Sequence, residues 1–126
     1  MKTVLVVDDE PTIRALVNAI LEDSDVRTLE AADGAEALAM AHHHHPDLVL
    51  LDVVMPRMDG YSVCQTMKAE SSTAHTPVLL LTALAQDSDR ERARRSGADG
   101  IVQKPFSATA LRATVEGILN GGSEKA

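Results

Sequence analysis

Apolar residues in this chain fall into two patterns that alternate along it: short unbroken runs, and longer stretches repeating every three or four residues. The runs are Val4-Leu5-Val6-Val7, Leu48-Val49-Leu50-Leu51, Val78-Leu79-Leu80-Leu81 and the shorter Ile101-Val102. Brief β-branched and leucine runs bounded by polar residues predict strands buried on both faces, as in a parallel sheet covered by helices. Val26 to Ala31 alternates more weakly and predicts one further strand. The fifth strand is expected over Gly100 to Lys104.

The intervening stretches carry helical period. Pro11 suits a first helical position, and Ile13, Leu16, Val17, Ile20 and Leu21 predict one apolar stripe behind it. Asp33 can cap an alanine-rich second helix containing Ala37, Leu38 and Ala41. A third helix is expected near Tyr61 to Ala69, after a loop holding Pro56 and the Asp59-Gly60 turn signal. The fourth begins near Asp87 or Ser88 and stops at Gly97. The last is capped by Ser107 and presents Leu111, Val115, Ile118 and Leu119 on one face.

Strand then helix, five times over, calls for right-handed crossovers and an α/β doubly wound parallel sheet. Ligands bind such sheets beyond the carboxyl ends of the strands. Each unbroken run here ends on a residue able to handle phosphate or metal: Asp8-Asp9, Asp52, Thr82 and Lys104-Pro105. Groups far apart in sequence are thereby expected at one edge of the sheet.

At 126 residues the chain is long enough for one core and too short for two ordinary domains. A folded unit is expected over 1–120, with a short flexible tail over 121–126. A 44% hydrophobic content with 2% aromatics means a core of Leu, Val, Ile, Ala and Met. The formal charge of -7 disfavours nucleic acid and anionic membrane as partners. Cys64 is the only cysteine, so no internal disulfide can form, and it reads as a small buried hydrophobe. No leader or bilayer-length run is evident, and the expected location is the cytoplasm.

Asp52 ends the most continuously apolar strand, expected to be central, and the next helix starts too far on for Asp52 to cap it. It is therefore read as a nucleophile or metal ligand. Asp8 and Asp9 can face one site only if the first strand has already ended, which Pro11 supports. Clustered carboxylates repel unless a cation neutralises them, and all-oxygen ligands select a hard ion such as Mg²⁺. Thr82 offers a hydroxyl, Ala83 leaves space for a substrate atom, and Lys104 offers a counter-charge for a phosphate oxygen. Together these residues suggest phosphoryl transfer to the Asp52 carboxylate, with Thr82 and Lys104 stabilising the developing charge.

From Lys2 to Leu119 the chain resembles the receiver domain of bacterial two-component response regulators, of the single-domain, chemotaxis-regulator type. The resemblance rests on Val7-Asp8-Asp9-Glu10, Asp52 through Met55-Pro56 to Met58-Asp59-Gly60, Thr82-Ala83, and Lys104-Pro105-Phe106. It implies a flavodoxin-like sheet of strand order 2-1-3-4-5 flanked by five helices. It further implies that Asp52 is the phosphoacceptor, and that Asp8, Asp9, Asp52 and the Val54 carbonyl surround Mg²⁺. Thr82, Ala83 and Lys104 would bind the phosphoryl group, supplied by a sensor histidine kinase or a histidine phosphotransfer protein. A downstream protein would bind at the fourth helix, fifth strand and last helix, or the phosphate would be relayed. The implied role is that of a signalling domain catalysing at most its own phosphorylation and dephosphorylation.

The chain departs from the family at Ile101, which stands where an aromatic switch residue is usual beside Thr82. An aliphatic side chain cannot make the same ring movement, so signalling is expected to run more through the loop after Thr82, including Leu84 and Ala85. Val54 is also apolar and cannot hydrogen-bond an attacking water. A haloacid-dehalogenase-like phosphatase uses similar groups but places an Asp-any-Asp nucleophile after its first strand, whereas this chain has Asp8-Asp9-Glu10 and no cap domain. The complete acid, Thr and Lys set disfavours an inactive pseudo-receiver. His42 to His45 read as an exposed helix end, placing cations at its negative pole, and Arg90 to Arg95 as a solvated helix face.

Overall fold

The computed structural model describes residues 1–22, 24–83 and 86–121. Five strands, β1 (Lys2–Val7), β2 (Val26–Ala31), β3 (Leu48–Asp52), β4 (Val78–Thr82) and β5 (Gly100–Gln103), alternate with five helices. The helices are α1 (Pro11–Leu21), α2 (Gly34–His44), α3 (Gly60–Ala69), α4 (Asp87–Ser96) and α5 (Ala108–Leu119). All strand pairs are parallel, in the order β2-β1-β3-β4-β5, so β3 is central as its unbroken apolar run implied.

Alternation along the strands divides the core into two layers. Leu5, Val7, Val49, Leu51, Val78 and Leu80 face one side and pack with Ala37 and Ala41 of α2, Val63, Cys64 and Met67 of α3, and Ala93 of α4. Val4, Val6, Leu48, Leu50, Leu79 and Leu81 face the other, against Val17, Ile20 and Leu21 of α1 and Leu111, Val115 and Leu119 of α5. Every residue of β3 and β4 is buried. Burying each such Leu or Val is worth about 1.5–3 kcal/mol, which fixes the strands and hence where their ends point.

Local signals end the elements where expected. Pro11 opens α1; Asp33, Asp59 and Ser107 accept hydrogen bonds from the amides of Glu36, Ser62 and Ala110. Gly97 closes α4 at φ 89°, in the left-handed region that glycine tolerates best. Two details differ from the sequence reading. β5 stops at Gln103, because the Lys104 amide turns to the Thr82 carbonyl, 2.8 Å away, and Lys104 belongs to the loop. Leu16 remains 48% exposed, since Val17, Ile20 and Leu21 already fill the buried side of α1. α4 begins at Asp87 as expected, with Gln86 before it at the cap position, its amide donating to Asp89 Oδ2 at 3.2 Å. Of the expected tail, residues 122–126 lie outside the described residues.

Candidate functional site

β1, β3 and β4 all finish on the same edge of the sheet, and the turns that follow hold the polar residues in place. β1 ends at Val7, so Asp8 and Asp9 lie in the turn and can share a site. Asp8 is fully buried: its Oδ1 accepts from the Glu10 amide at 2.9 Å, and its main-chain carbonyl accepts from Arg14 Nη1 at 2.7 Å. Asp52 closes β3 at 5% exposure, and Thr82 closes β4 at 2%. Lys104 reaches back from beyond β5, its Nζ donating to Asp52 Oδ1 at 2.8 Å and to Asp8 Oδ2 at 3.3 Å. Ala83 is exposed beside Thr82.

Ligand atoms of Asp8, Asp9 and Asp52 lie within 4.8 Å of one another, forming the one such group among the described residues. Burial is the largest influence on Asp52 and raises its pKa above the ordinary value. The Lys104 hydrogen bond opposes that rise, while the charges of Asp8 and then Asp9 add to it. Burial also works against the Lys104 ammonium, but the hydrogen bond and charge of Asp52, reinforced by Asp8, outweigh it and hold the lysine above its usual value. One ammonium thus faces three carboxylates, a donor set of oxygens with excess negative charge that fits a hard divalent cation.

The loop from β3 to α3 is held against this centre. The Gly60 amide donates to the Val53 carbonyl at 2.8 Å, and a Cβ at Gly60 would run into the Asp52 carbonyl, so only glycine allows the loop to close there. Arg57 takes a left-handed backbone conformation, φ 71°, and its guanidinium lies 3.4 Å from Asp33. Val54 is 67% exposed beside the acids.

Residues 4–116 match the family of response regulator receiver domains. The chain belongs to that family. It is 44% identical over 118 residues to a probable transcriptional regulator, ycf27, of Cyanophora paradoxa, covering 94% of this chain and 48% of that protein. The chain spans about half the length of the curated relatives it matches at such identities. Chemotaxis response regulator CheY4 of Vibrio cholerae superposes with a TM-score of 0.88 at 35% identity, over 94% of this chain and 98% of that one. The receiver domain of sensor histidine kinase PA1611 from Pseudomonas aeruginosa PAO1, with magnesium in its active-site cleft, superposes at 0.86 and 28% identity, over 94% and 98%. The receiver is a phosphoacceptor signalling domain of two-component systems, with the flavodoxin-like strand order that the sequence resemblance implied.

Several residues of this receiver's site were not legible in the sequence. Arg14, only 16% exposed, clamps the Asp8 turn while its Nε donates to Glu30 on β2 at 2.8 Å, and Asn18 Nδ2 donates to the other Glu30 oxygen at 2.9 Å. The Arg14 hydrogen bond holds the Glu30 carboxyl below its usual range, against a smaller effect of burial. The sequence offered only a basic residue one turn into α1. On the far side of the site, Arg92 of α4 stacks 4.4 Å over the Tyr61 ring, and its Nη2 lies 3.5 Å from Asp59 Oδ2. The solvated reading of α4 holds: Glu91, Arg94 and Arg95 pair on its surface, and Arg92 is 62% exposed even as it lies over the Tyr61 ring. Ile101 is half-buried on β5 and packs against the α2–α4 layer. Leu84 and Ala85, expected to carry signalling after Thr82, lie outside the described residues. No described helix is long and apolar enough to cross a membrane.

Proposed function

We propose that Asp52 is the phosphoacceptor of this receiver, and that a sensor histidine kinase or a histidine phosphotransfer protein donates to it. A carboxylate oxygen of Asp52 attacks phosphorus; the phosphorus–nitrogen bond of the donor phosphohistidine breaks, its electron pair stays on the imidazole, and an acyl phosphate remains on Asp52. The observation that carries this reading is the Lys104 ammonium 2.8 Å from Asp52 Oδ1 at the end of the central strand, a cation beside the oxygen that would gain the phosphoryl group. Thr82, Ala83 and Lys104 bind the phosphoryl oxygens.

Asp8, Asp9, Asp52 and the Val54 carbonyl would hold Mg²⁺, which would supply charge neutralisation for phosphoryl transfer. The oxygen-only donor set supports that identity, as does the magnesium named for the PA1611 receiver. The exposed side chain of Val54 is apolar and offers an attacking water no hydrogen bond.

The unit over 1–120 acts in the cytoplasm as a protein-binding switch or phosphate carrier, with no nucleic-acid or membrane contact of its own. It catalyses nothing beyond its own phosphorylation and dephosphorylation. The switched partner is a protein bound at α4, β5 and α5, with Thr82 at the switch and Ile101 in the position where an aromatic switch residue is usual. Acetyl phosphate and Mg²⁺ are expected to add one phosphoryl group by intact mass, and Asp52→Asn is expected to add none. Undiminished labelling of Asp52→Asn would refute the assignment.

A further inference from the structure

The phosphoryl site uses none of the four consecutive histidines, His42–His45, which lie where α2 ends and the chain turns toward the start of β3. That is the amino-terminal edge of the sheet, opposite the acids. Four consecutive residues cannot share one helix face, and the structure shows how they divide. His43 and His44 meet edge to face, with ring centroids 4.8 Å apart. His42 and His45, three residues apart, bring their ring centroids to 6.5 Å at an interplanar angle of 45°. All four are exposed.

Two further features set His42 and His45 apart. His42 Nδ1 lies 3.2 Å from Ser72 Oγ, in the segment after α3. With Nδ1 donating to that hydroxyl, Nε2 keeps its lone pair, the arrangement by which an outer oxygen orients a metal-bound imidazole. His45 caps α2 in the left-handed conformation, φ 49°, held by its amide donating to the Ala41 carbonyl at 3.1 Å. The last carbonyls of α2 add a negative pole beneath both rings, which favours a bound cation.

We infer that His42 and His45 form a two-histidine site for a borderline divalent transition ion such as Zn²⁺, Ni²⁺ or Cu²⁺, separate from the acid cluster. Imidazole nitrogen suits these ions, whereas the carboxylates at the other edge suit Mg²⁺. Two Zn–N bonds of about 2.1 Å allow the ligating nitrogens to stand up to about 4.2 Å apart. Rings 6.5 Å apart between centroids reach that span by small rotations, which exposed side chains can make. Among the described residues no third His, Cys, Asp or Glu joins the pair, so its other coordination positions are open to water. The site is therefore an exchangeable one, unlike a closed structural zinc centre.

Calorimetric titration of Zn²⁺ into the whole chain, with Mg²⁺ in excess to occupy the acids, tests the inference. One ion per chain is expected, with binding lost in His42→Ala and in His45→Ala. It should be kept in the double variant His43→Ala/His44→Ala and in Asp9→Ala. Ser72→Ala should weaken binding by about tenfold, the usual scale for removing an orienting partner. Histidine ring NMR should show zinc-induced shifts at His42 and His45 only. Binding in His42→Ala equal to the parent, loss in Asp9→Ala, or loss in the His43/His44 double variant would overturn the assignment. Far-UV circular dichroism of each variant separates lost binding from lost folding.

Discussion

The ammonium of Lys104 lies 2.8 Å from Oδ1 of Asp52 and 3.3 Å from Oδ2 of Asp8, so one cation joins the carboxyl ends of the neighbouring strands β3 and β1. Removing it leaves two buried carboxylates facing each other. Lys104→Met is therefore expected to lower stability without divalent ions by up to about 3 kcal/mol. It should also tighten Mg²⁺ binding, because no competing positive charge remains, while slowing phosphoryl uptake from acetyl phosphate. Denaturant unfolding with and without Mg²⁺ reads the first two effects. A variant with unchanged stability and unchanged Mg²⁺ affinity would show that Lys104 does not neutralise these acids.

The same excess of negative charge makes Mg²⁺ a stabilising ligand. At a hundred times its dissociation constant it should add about 2.7 kcal/mol, seen as a rise in Tm. Asp9, the exposed member of the cluster, can be removed without opening the core, and Asp9→Ala should abolish most of that rise. A Tm response equal to the parent's would exclude Asp9 as a ligand.

Tyr61 is 6% exposed, and its hydroxyl has no hydrogen-bond partner among the described residues, while Arg92 covers the ring. Burial is also the largest cause of the raised Tyr61 pKa, with the charge of Asp89 adding to it. An unsatisfied buried hydroxyl costs about 1–3 kcal/mol, so Tyr61→Phe should leave stability unchanged or raise it. Arg92→Ala, which removes the stacking cation, should lower it by about 0.5–1 kcal/mol. A clear loss of stability in Tyr61→Phe would mean that the hydroxyl is engaged.

Ile101 bears on how phosphorylation is read out. A modification shifts a two-state equilibrium only through differential interaction with the two states, and an aliphatic side chain offers little polar difference between inward and outward placements. Beryllofluoride with Mg²⁺ should therefore change amide hydrogen exchange chiefly in the segment following Thr82, with smaller changes at Ile101 and α5. Changes concentrated at Ile101 and α5, with the segment after Thr82 unaffected, would show that position 101 still acts as the switch.

The chain by itself determined the order of elements, the parallel sheet and the edge at which the site lies. These follow from periodicity: four unbroken apolar runs are stable only when covered on both faces, and Asp8, Asp52 and Thr82 close runs that must sit side by side. Caps at Asp33 and Ser107 were legible because they bond amides only three residues away, while Asp59, read only as a turn residue, proves to cap α3 in the same way. Tertiary structure alone decided the contacts made by long side chains across elements. Arg14 reaches a carbonyl in the preceding turn and a carboxylate on an edge strand, and Arg92 lies on a ring from the neighbouring helix. Lys104 joins acids 52 and 96 positions earlier in the chain. Sequence pattern records which face of an element is buried, but an arginine or lysine bridging two elements leaves no period behind. Its partner is chosen by packing after the strands have met.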